Sequence, residues 1–589
     1  MPFSTLNGRA LGVAASLAIA LPTLIAFNLP PSATFLNQAA ALVGWGVFGF
    51  LLATGLPAQM QRGLDAAAWR GAAPLLTALA LLMAAAFAAP LWTGLPWSLA
   101  LSSGGALAAA IGVALCAVAL QRAGLGAAAF RAVCVGLLVA GVAGAVIALV
   151  QVFVPQMADG TLIARSSMPG RAVGNLRQPN HLSSLLLWGM AAIVWLAGAG
   201  VLRRGVALAL GVLLLCGVVL SGSRTGAVGA LVLAAWGGVD RRLAPFWRRA
   251  LLATPFAYGA FWLAMVGWGR LGHGAGIESH FVASSGDISS SRFAIWSDTL
   301  ALIRAHPWAG VGFGEFNFVW SLTPFPQRPV AFFDHTHNLP LQFAVELGVP
   351  PALLVLALLG AALVRAWRIA QGADGSSAPA LHAGLTMVVM MALHSQLEYP
   401  LWYVYFLLPT VFVWGLGLTT PAASPASARA AAMAATARPN GLAIGAVVLW
   451  LAGLAAVLDY TRVVVIFAPP EAASPLAQRV KEGQRSVLFS HHADYAAATT
   501  PGIGGDALNG FAGAPHYLLD ARLMQAWAKA FDQQGDSARA AHIAQRLREF
   551  RNEQAEPFFR LCDEPDARIG AALFQCATLP TGLAFEDFR

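Results

Sequence analysis

Apolar stretches of about twenty residues recur along the first three quarters of the chain, and a helix of that length crosses the ~30 Å hydrocarbon core of a bilayer. The 589 residues are 58% hydrophobic and only 11% charged. An ordinary soluble fold cannot bury that much apolar surface. We therefore predict an all-α, polytopic transmembrane helical bundle. The thirteen predicted spans are 10–27, 39–57, 72–90, 98–120, 132–154, 182–200, 206–220, 225–239, 250–269, 339–364, 380–395, 401–419 and 442–461.

The two short central spans and the first span differ from the other predicted spans. The spans 206–220 and 225–239 are short and almost touch, so they form either a broken helix pair or a re-entrant segment. The first span is not followed by a small-residue cleavage site, so we expect a retained helix with a cytoplasmic amino terminus rather than a cleaved signal peptide.

Arginines mark every second loop between the predicted spans, and short basic loops favour the cytoplasmic side. These are Arg62, Arg70, Arg122, Arg131, Arg203, Arg204, Arg241, Arg242, Arg248, Arg249, Arg365, Arg368, Arg429 and Arg438. We therefore predict a multi-pass protein of the bacterial inner membrane whose carboxyl-terminal region is periplasmic. The net charge of +9 then reflects membrane topology and does not indicate a nucleic-acid-binding surface.

The change of composition after the last span predicts two domains. Residues 1–461 form the transmembrane domain, which includes a periplasmic loop at 270–338, and residues 462–589 form a small helical periplasmic domain. Within the latter, Leu518–Phe550 has the pattern of two amphipathic helices broken at Gln534–Asp536. The Ala/Ser/Pro-rich run Thr419–Ala437 predicts a flexible cytoplasmic loop.

Cysteine usage agrees with this topology. Cys562 and Cys576 lie in the tail that topology places in an oxidising compartment, so they form either a structural disulfide or two buried thiols. The chain has no P-loop, no dinucleotide fingerprint and no Cys/His spacing typical of zinc, so we expect no cofactor.

Polar residues crowd the predicted periplasmic ends of the spans, in loops 155–181, 221–224, 270–338 and 395–400. A transporter or flippase would instead carry polar residues at mid-membrane depth. In the first loop, Arg177, Gln178 and His181 stand beside a helix amino terminus and suit an anion or a sugar. Asn180 either caps that helix or joins the site.

Two arginines are candidates for binding phosphate. Arg224 lies in the glycine-rich turn Ser221–Gly226, whose N–H groups and guanidinium can hold a phosphate, although an interfacial arginine can also merely snorkel. Arg292 begins a pattern that runs through Trp296 to Arg304 and predicts an amphipathic helix along the surface. Its side chain points either into the site or into solvent.

The segment Asp334–Asn338 contains two histidines. His335 and His337 are at i, i+2 and do not share a helix face, so a metal site is a weak interpretation. A general base suits His337 better, and a capping role is the alternative. In the fourth loop, Glu398 is suited to orient a histidine or arginine or to bind a sugar hydroxyl, and Tyr399 lies beside it.

Together these windows resemble the membrane glycan ligases and polymerases that include O-antigen ligase, O-antigen polymerase and the bacterial O-linked protein oligosaccharyltransferases. The shared core corresponds to Ser221–Gly226, Arg292–Trp296, His306–Gly312, His337-Asn338 with Gln342, and Glu346–Gly348. Gly174–Leu182 and His394–Tyr403 resemble the protein oligosaccharyltransferase branch, the pilin glycosylation ligases.

The resemblance implies a metal- and nucleotide-independent glycosyltransferase. Its donor is an undecaprenyl-diphosphate-linked oligosaccharide, and its acceptors are Ser/Thr hydroxyls of pilin-like or other exported proteins. The resemblance also implies functional positions at Gln178, Arg224, Arg292 and His337, and less directly at His335, Glu398 and Tyr399. O-antigen ligase and O-antigen polymerase, which share the donor chemistry, are the alternatives.

Overall fold

The computed structural model describes most of the chain. The described residues are 8–56, 64–271, 288–325, 328–330, 332–373, 378–421, 440–500, 502–503, 510–562, 573–578 and 581–589. Among the predicted features, Arg62, Arg429, Arg438, most of Thr419–Ala437 and residues 272–287 of the long loop lie outside the described residues.

The regular elements of the described segments are helices. In chain order they are α1 (Gly8–Leu24), α2 (Phe35–Thr54), α3 (Ala66–Ala88), α4 (Trp97–Arg122), α5 (Gly126–Phe153), α6 (Pro179–Gly198), α7 (Arg204–Leu220), α8 (Arg224–Val239), α9 (Pro245–Arg270), α10 (Ile288–Ala305), α11 (Phe316–Leu322), α12 (Leu339–Leu347), α13 (Val349–Gly372), α14 (Ala378–His394), α15 (Val404–Leu416), α16 (Gly441–Phe467), α17 (Leu476–Gly483), α18 (Ser490–Thr499), α19 (Ala514–Tyr517), α20 (Ala521–Gln533), α21 (Ser537–Glu549) and α22 (Glu556–Arg560), joined by short 3₁₀ turns.

Each predicted apolar stretch coincides with a described helix. Within the described residues, eight helices are long and apolar enough to cross a membrane, and they are α2, α3, α4, α5, α6, α9, α13 and α16. Five shorter apolar helices of 10–17 residues, α1, α7, α8, α14 and α15, account for the other stretches. The all-α, multi-pass membrane architecture is therefore confirmed.

The predicted span 339–364 is wrong at its start. α12 ends at Leu347, and Gly348 follows with a φ of 82°, a left-handed conformation that only glycine adopts readily. The apolar helix begins afresh at Val349 and continues to Gly372. α12 is thus a separate helix from the apolar helix that follows it.

The helices divide into two compact units. The first comprises Met1–Ala80, Leu107–Ser284 and Ala357–Val457, and the second comprises Leu81–Ala106, Ser285–Leu356 and Leu458–Arg589. The tail therefore shares a unit with the segment that carries α10 to α12. That residues 462–589 fold as a domain of their own remains a prediction.

The tail contains the predicted helix hairpin. α20 and α21 flank Gly535, whose φ of 82° permits the sharp turn. Trp527, Ile543 and Leu547 are buried in the core of the second unit, together with aromatic residues of α11. In the same unit Cys562 and Cys576 are joined by a disulfide bond.

Candidate glycan-transfer site

The loop before α6 is fixed by a side-chain cap on that helix. Gln178 Oε1 accepts hydrogen bonds from the backbone N–H groups of Asn180 at 2.5 Å and His181 at 3.0 Å. Pro179 is the first helical residue, a position that tolerates the missing N–H. The cap is therefore Gln178 and not Asn180, the capping residue considered from the sequence.

Asn180 connects two of the predicted polar windows instead. Its Nδ2 donates to Glu398 Oε1 at 3.0 Å, and its Oδ1 accepts from Ser223 Oγ at 2.6 Å. Ser223 also caps α8 by accepting from the N–H of Gly226 at 3.0 Å. Glu398 and Ser223 are buried, so each polar atom of this network replaces a contact with water.

Two arginines lie beside this network. Arg171 Nε donates to the carbonyl of Ser221 at 2.6 Å, and its Nη2 donates to that of Gly222 at 3.3 Å. Burial and the charge of Arg224 lower the pKa of Arg171, while Glu398 opposes them. Arg224 is the first residue of α8, where the helix dipole adds positive potential. The two guanidinium groups outweigh the one carboxylate of Glu398. The net positive charge at the start of α8 therefore attracts an anion.

Arg171 was missed by the sequence analysis, although it lies in the polar loop 155–181. Its position beside the network was not visible because its backbone partners, Ser221 and Gly222, are about fifty residues away in the chain. The signal available in the sequence was only a third arginine in a loop on the predicted outer side.

Arg177 makes contacts of a different kind. Its φ is 56°, and its guanidinium donates to the backbone carbonyls of Ala33 at 2.9 Å and Ala26 at 2.5 Å. These bonds tie the loop before α6 to the connection between α1 and α2. A substrate-binding role for Arg177 remains a prediction.

His181 and Tyr399 belong to an aromatic cluster next to the network. His181 is buried, and its Nδ1 lies 3.2 Å from the Tyr405 hydroxyl. Its ring centroid lies 4.7 Å from that of Tyr403, on which Tyr399 stacks at 6.2 Å. Such a wall suits the apolar face of a sugar, but binding by His181 and Tyr399 remains a prediction.

The remaining predicted site residues lie in the second unit, around His337. Its φ of 55° is uncommon for a residue with a side chain. Thr336 is held on both sides, because its carbonyl accepts from Trp296 Nε1 at 2.9 Å and its N–H donates to Gln342 Oε1 at 2.8 Å. Asn338 Oδ1 caps α12 by accepting from the N–H of Leu341 at 3.0 Å. Asn338 therefore caps α12, and His337 does not have the capping role considered from the sequence.

Arg292 stands one helical turn before Trp296 on α10, so the two side chains share a face. Trp296 binds the residue next to His337, and this contact directs the face that carries Arg292 toward the same loop. The predicted amphipathic helix is present. Its buried positions are Ile295, Asp298, Thr299 and Leu302, whereas Leu300 is exposed.

His335 pairs with Asp334, its Nδ1 lying 3.0 Å from Asp334 Oδ1. Desolvation would raise the pKa of Asp334, but His335 and His337 outweigh it and lower that pKa to about 2. Asp334 is therefore a carboxylate at neutral pH. Among the described residues, no group of three or more His, Cys, Asp or Glu side chains is placed to hold a metal ion.

Glu346 is linked through Gln342 to the loop that carries His337. Gln342 Nε2 donates to Glu346 Oε1 at 2.9 Å while the other end of the amide holds Thr336. Burial raises the pKa of Glu346 to about 7, although N–H groups of Gly314 and Phe316 donate to it. The Glu346 carboxyl group thus changes its charge near neutral pH, next to the loop that carries His337.

Two glycine-bearing motifs pair through their backbones here. The N–H of Val311 donates to the carbonyl of Val345 at 2.8 Å, and the N–H of Gly312 donates to that of Glu346 at 3.0 Å. A Cβ on Gly310 would lie 2.5 Å from the carbonyl carbon of Glu346, and one on Gly348 would lie 2.4 Å from the carbonyl oxygen of Trp308. Larger residues would separate the two motifs.

Three family models match the chain over the segments that build these clusters. "Protein glycosylation ligase" matches residues 172–197, "O-Antigen ligase" matches 209–357, and "Virulence factor membrane-bound polymerase, C-terminal" matches 382–558. Over these segments the chain is similar to protein glycosylation ligases and O-antigen ligases. The protein glycosylation ligase match contains Gln178 and Asn180, and the O-antigen ligase match contains Arg224, Arg292 and His337.

A curated relative is the general O-oligosaccharyltransferase of Acinetobacter baylyi. It is 27% identical over 253 residues, which cover 42% of this chain and 43% of the relative. The alignment thus spans less than half of either protein.

Proposed function

We propose that the chain transfers an oligosaccharide as one block from undecaprenyl diphosphate to Ser or Thr hydroxyls of pilin-like or other exported proteins. The reaction takes place at the periplasmic face of the bacterial inner membrane, with the amino terminus in the cytoplasm. The observation that carries the proposal is the placement of Arg171 and Arg224 beside Asn180 and the buried Glu398 with which it pairs. The printed name of the Acinetobacter baylyi relative supports a protein as the acceptor.

The leaving group determines what the donor half of the site must supply. A diphosphate is already a stable anion, so the site needs cations to hold it more than an acid to protonate it. Arg224 and Arg292 supply guanidinium forks for this purpose, and Arg171 adds a third. Asn180, Glu398 and Gln178 belong to the part that orients the sugar.

The acceptor hydroxyl needs a base, because it is a poor nucleophile at neutral pH, and a positioned base contributes roughly 10²–10⁴-fold. His337 takes the hydroxyl proton while the oxygen bonds to the anomeric carbon. The bond from that carbon to the phosphate oxygen breaks, and undecaprenyl diphosphate leaves with its electron pair. One displacement inverts the anomeric centre and requires neither metal nor nucleotide. A covalent route through Glu398 or Asp334 is the alternative.

The test is to co-express the full chain with a lipid-linked glycan and a pilin and to record intact-protein masses. The proposal predicts a pilin whose mass rises by one complete glycan, and a much smaller fraction of modified pilin with Arg224→Ala. Glycan on lipid A-core without pilin modification would identify an O-antigen ligase. Lengthened lipid-linked repeats would identify a polymerase.

A further inference from the structure

A cavity of about 420 Å³ lies in the first unit between α8, α13 and α14. It sits at the Val239 end of α8, whereas Arg224 stands at the other end. α8 has 16 residues, so the two ends are roughly 24 Å apart at the usual helical rise. The cavity is therefore separate from the arginine-bearing turn at the start of α8.

The lining of this cavity is polar at one end and apolar along its walls. Val232, Ala235 and Leu385 supply apolar wall, and Arg241 and Arg242 lie at the polar end. From Val232 to Val239, the last residue of α8, the helix rises roughly 10 Å, and Arg241 follows two residues later. Such a shape fits an amphiphile whose charged group lies at the arginines.

Asp240, the one acidic residue that lines the cavity, already has partners within the protein. Asp240 Oδ2 lies 2.9 Å from His382 Nδ1 and accepts from Trp236 Nε1 at 3.1 Å. Its Oδ1 accepts from the N–H of Arg242 at 3.1 Å. The Arg242 guanidinium in turn donates to the carbonyl of Ala370 near the end of α13, at 2.9 Å. These contacts satisfy Asp240 and fix Arg242 at the polar end.

Arg241 contributes a further positive charge. It is exposed, and within the described ranges no hydrogen-bond or ion-pair partner accompanies it. A second cavity of about 740 Å³ shares Trp236 and Arg242 and adds Arg131, an exposed arginine for which the same holds. The polar end thus has a net positive charge, next to indole rings of the kind found at membrane interfaces.

We propose that the 420 Å³ cavity holds the headgroup and part of one acyl chain of an anionic phospholipid. The phosphate lies against Arg241 and Arg242, and an acyl chain follows the wall formed by Val232 and Ala235. Basic pockets between transmembrane helices bind anionic headgroups, and each arginine near the surface contributes about 1 kcal/mol, equivalent to about fivefold in affinity.

The test is native mass spectrometry of the purified full chain exchanged into nanodiscs that contain phosphatidylglycerol and phosphatidylethanolamine. We expect retained phosphatidylglycerol to exceed phosphatidylethanolamine. Arg241→Gln should lower phosphatidylglycerol retention by about fivefold. Ala235→Trp, which fills the wall without a change of charge, should lower retention of the lipid as well.

Arg204→Gln is the matched control, since Arg204 is an exposed arginine that lines neither cavity. Equal losses with Arg241→Gln and Arg204→Gln would show general surface attraction and overturn the proposal. Retention unchanged by Arg241→Gln would overturn it as well. Displacement by millimolar inorganic phosphate would show a phosphate site without a lipid, which also contradicts it.

Discussion

Asn180 Nδ2 donates a hydrogen bond to Glu398 Oε1 at 3.0 Å, so an amide in the first turn of α6 holds a buried carboxylate that follows α14. The same Asn180 accepts from Ser223 beside Arg224. The carboxylate and the arginine-bearing turn are thus positioned by one side chain.

The first prediction follows from this relationship. Asn180→Ala removes the hydrogen bonds that Asn180 makes to Glu398 and Ser223, and a hydrogen bond to a charged group contributes roughly 1.5–3 kcal/mol. We expect a lower unfolding temperature in detergent and loss of most transfer. Glu398→Gln, which keeps a hydrogen-bonding side chain and removes the charge, should lose transfer with less effect on stability. Glu482→Gln, at an exposed acid, is the control, and unchanged transfer in Asn180→Ala would refute the role of the pair.

The second prediction concerns pH and Glu346. Its pKa in the folded protein is about 7, above the ordinary value of 4.5, so the folded state binds more protons between these values. The contribution of this group to stability is full below about pH 4.5 and is lost as pH rises to 7, by roughly 3 kcal/mol. Glu346→Gln should remove this part of the pH dependence. Thermal unfolding from pH 4.5 to 7 measures it, and identical slopes for both proteins would argue against the burial effect.

The third prediction concerns the disulfide. Thiol labelling of the unfolded, non-reduced protein should modify three cysteines, Cys116, Cys134 and Cys216. After reduction, all five cysteines should react. Cys562→Ser should lower stability by roughly 3 kcal/mol, as expected for a closed loop of this length. Labelling of Cys562 or Cys576 without reductant would exclude the bond in the purified protein.

The fourth prediction concerns topology. A reporter that is active only in the periplasm should be active when fused after residue 470 and inactive when fused between residues 370 and 376. The basic-loop alternation is the reason, because short arginine-bearing loops stay in the cytoplasm. The reverse pattern would place the candidate site on the wrong side of the membrane.

Apolar periodicity predicted the helices well. The hairpin of α20 and α21 followed from the spacing of Trp527, Ile543 and Leu547 and from the turn at Gly535. The span beginning at residue 339 was misplaced, because Leu339–Leu347 is nearly as apolar as the helix after it. Hydropathy alone does not reveal that Gly348 breaks the chain there.

The sequence predicted several residues of the candidate site but not the contacts between them. The windows around Asn180, Arg224 and Glu398 stood out because polar residues are rare at span ends. Which residue caps α6 depended on side-chain geometry, and Gln178 is not among the residues that usually cap helices. Arg171 became a candidate only through its contacts with Ser221 and Gly222, which no local pattern encodes.

The most direct test measures donor affinity and single-turnover transfer separately, on purified variants that are first checked for folding. His337→Ala should bind the lipid-linked donor normally and lose transfer by roughly 10²–10⁴-fold, because a base acts on the acceptor. Arg224→Ala should weaken both donor binding and transfer, and Arg224→Lys should rescue only partly, since an ammonium lacks the planar fork. Arg204→Ala, at the corresponding first position of α7, is the control. Near-normal transfer by His337→Ala, or donor binding lost as severely as in Arg224→Ala, would contradict the assignment of His337 as the general base.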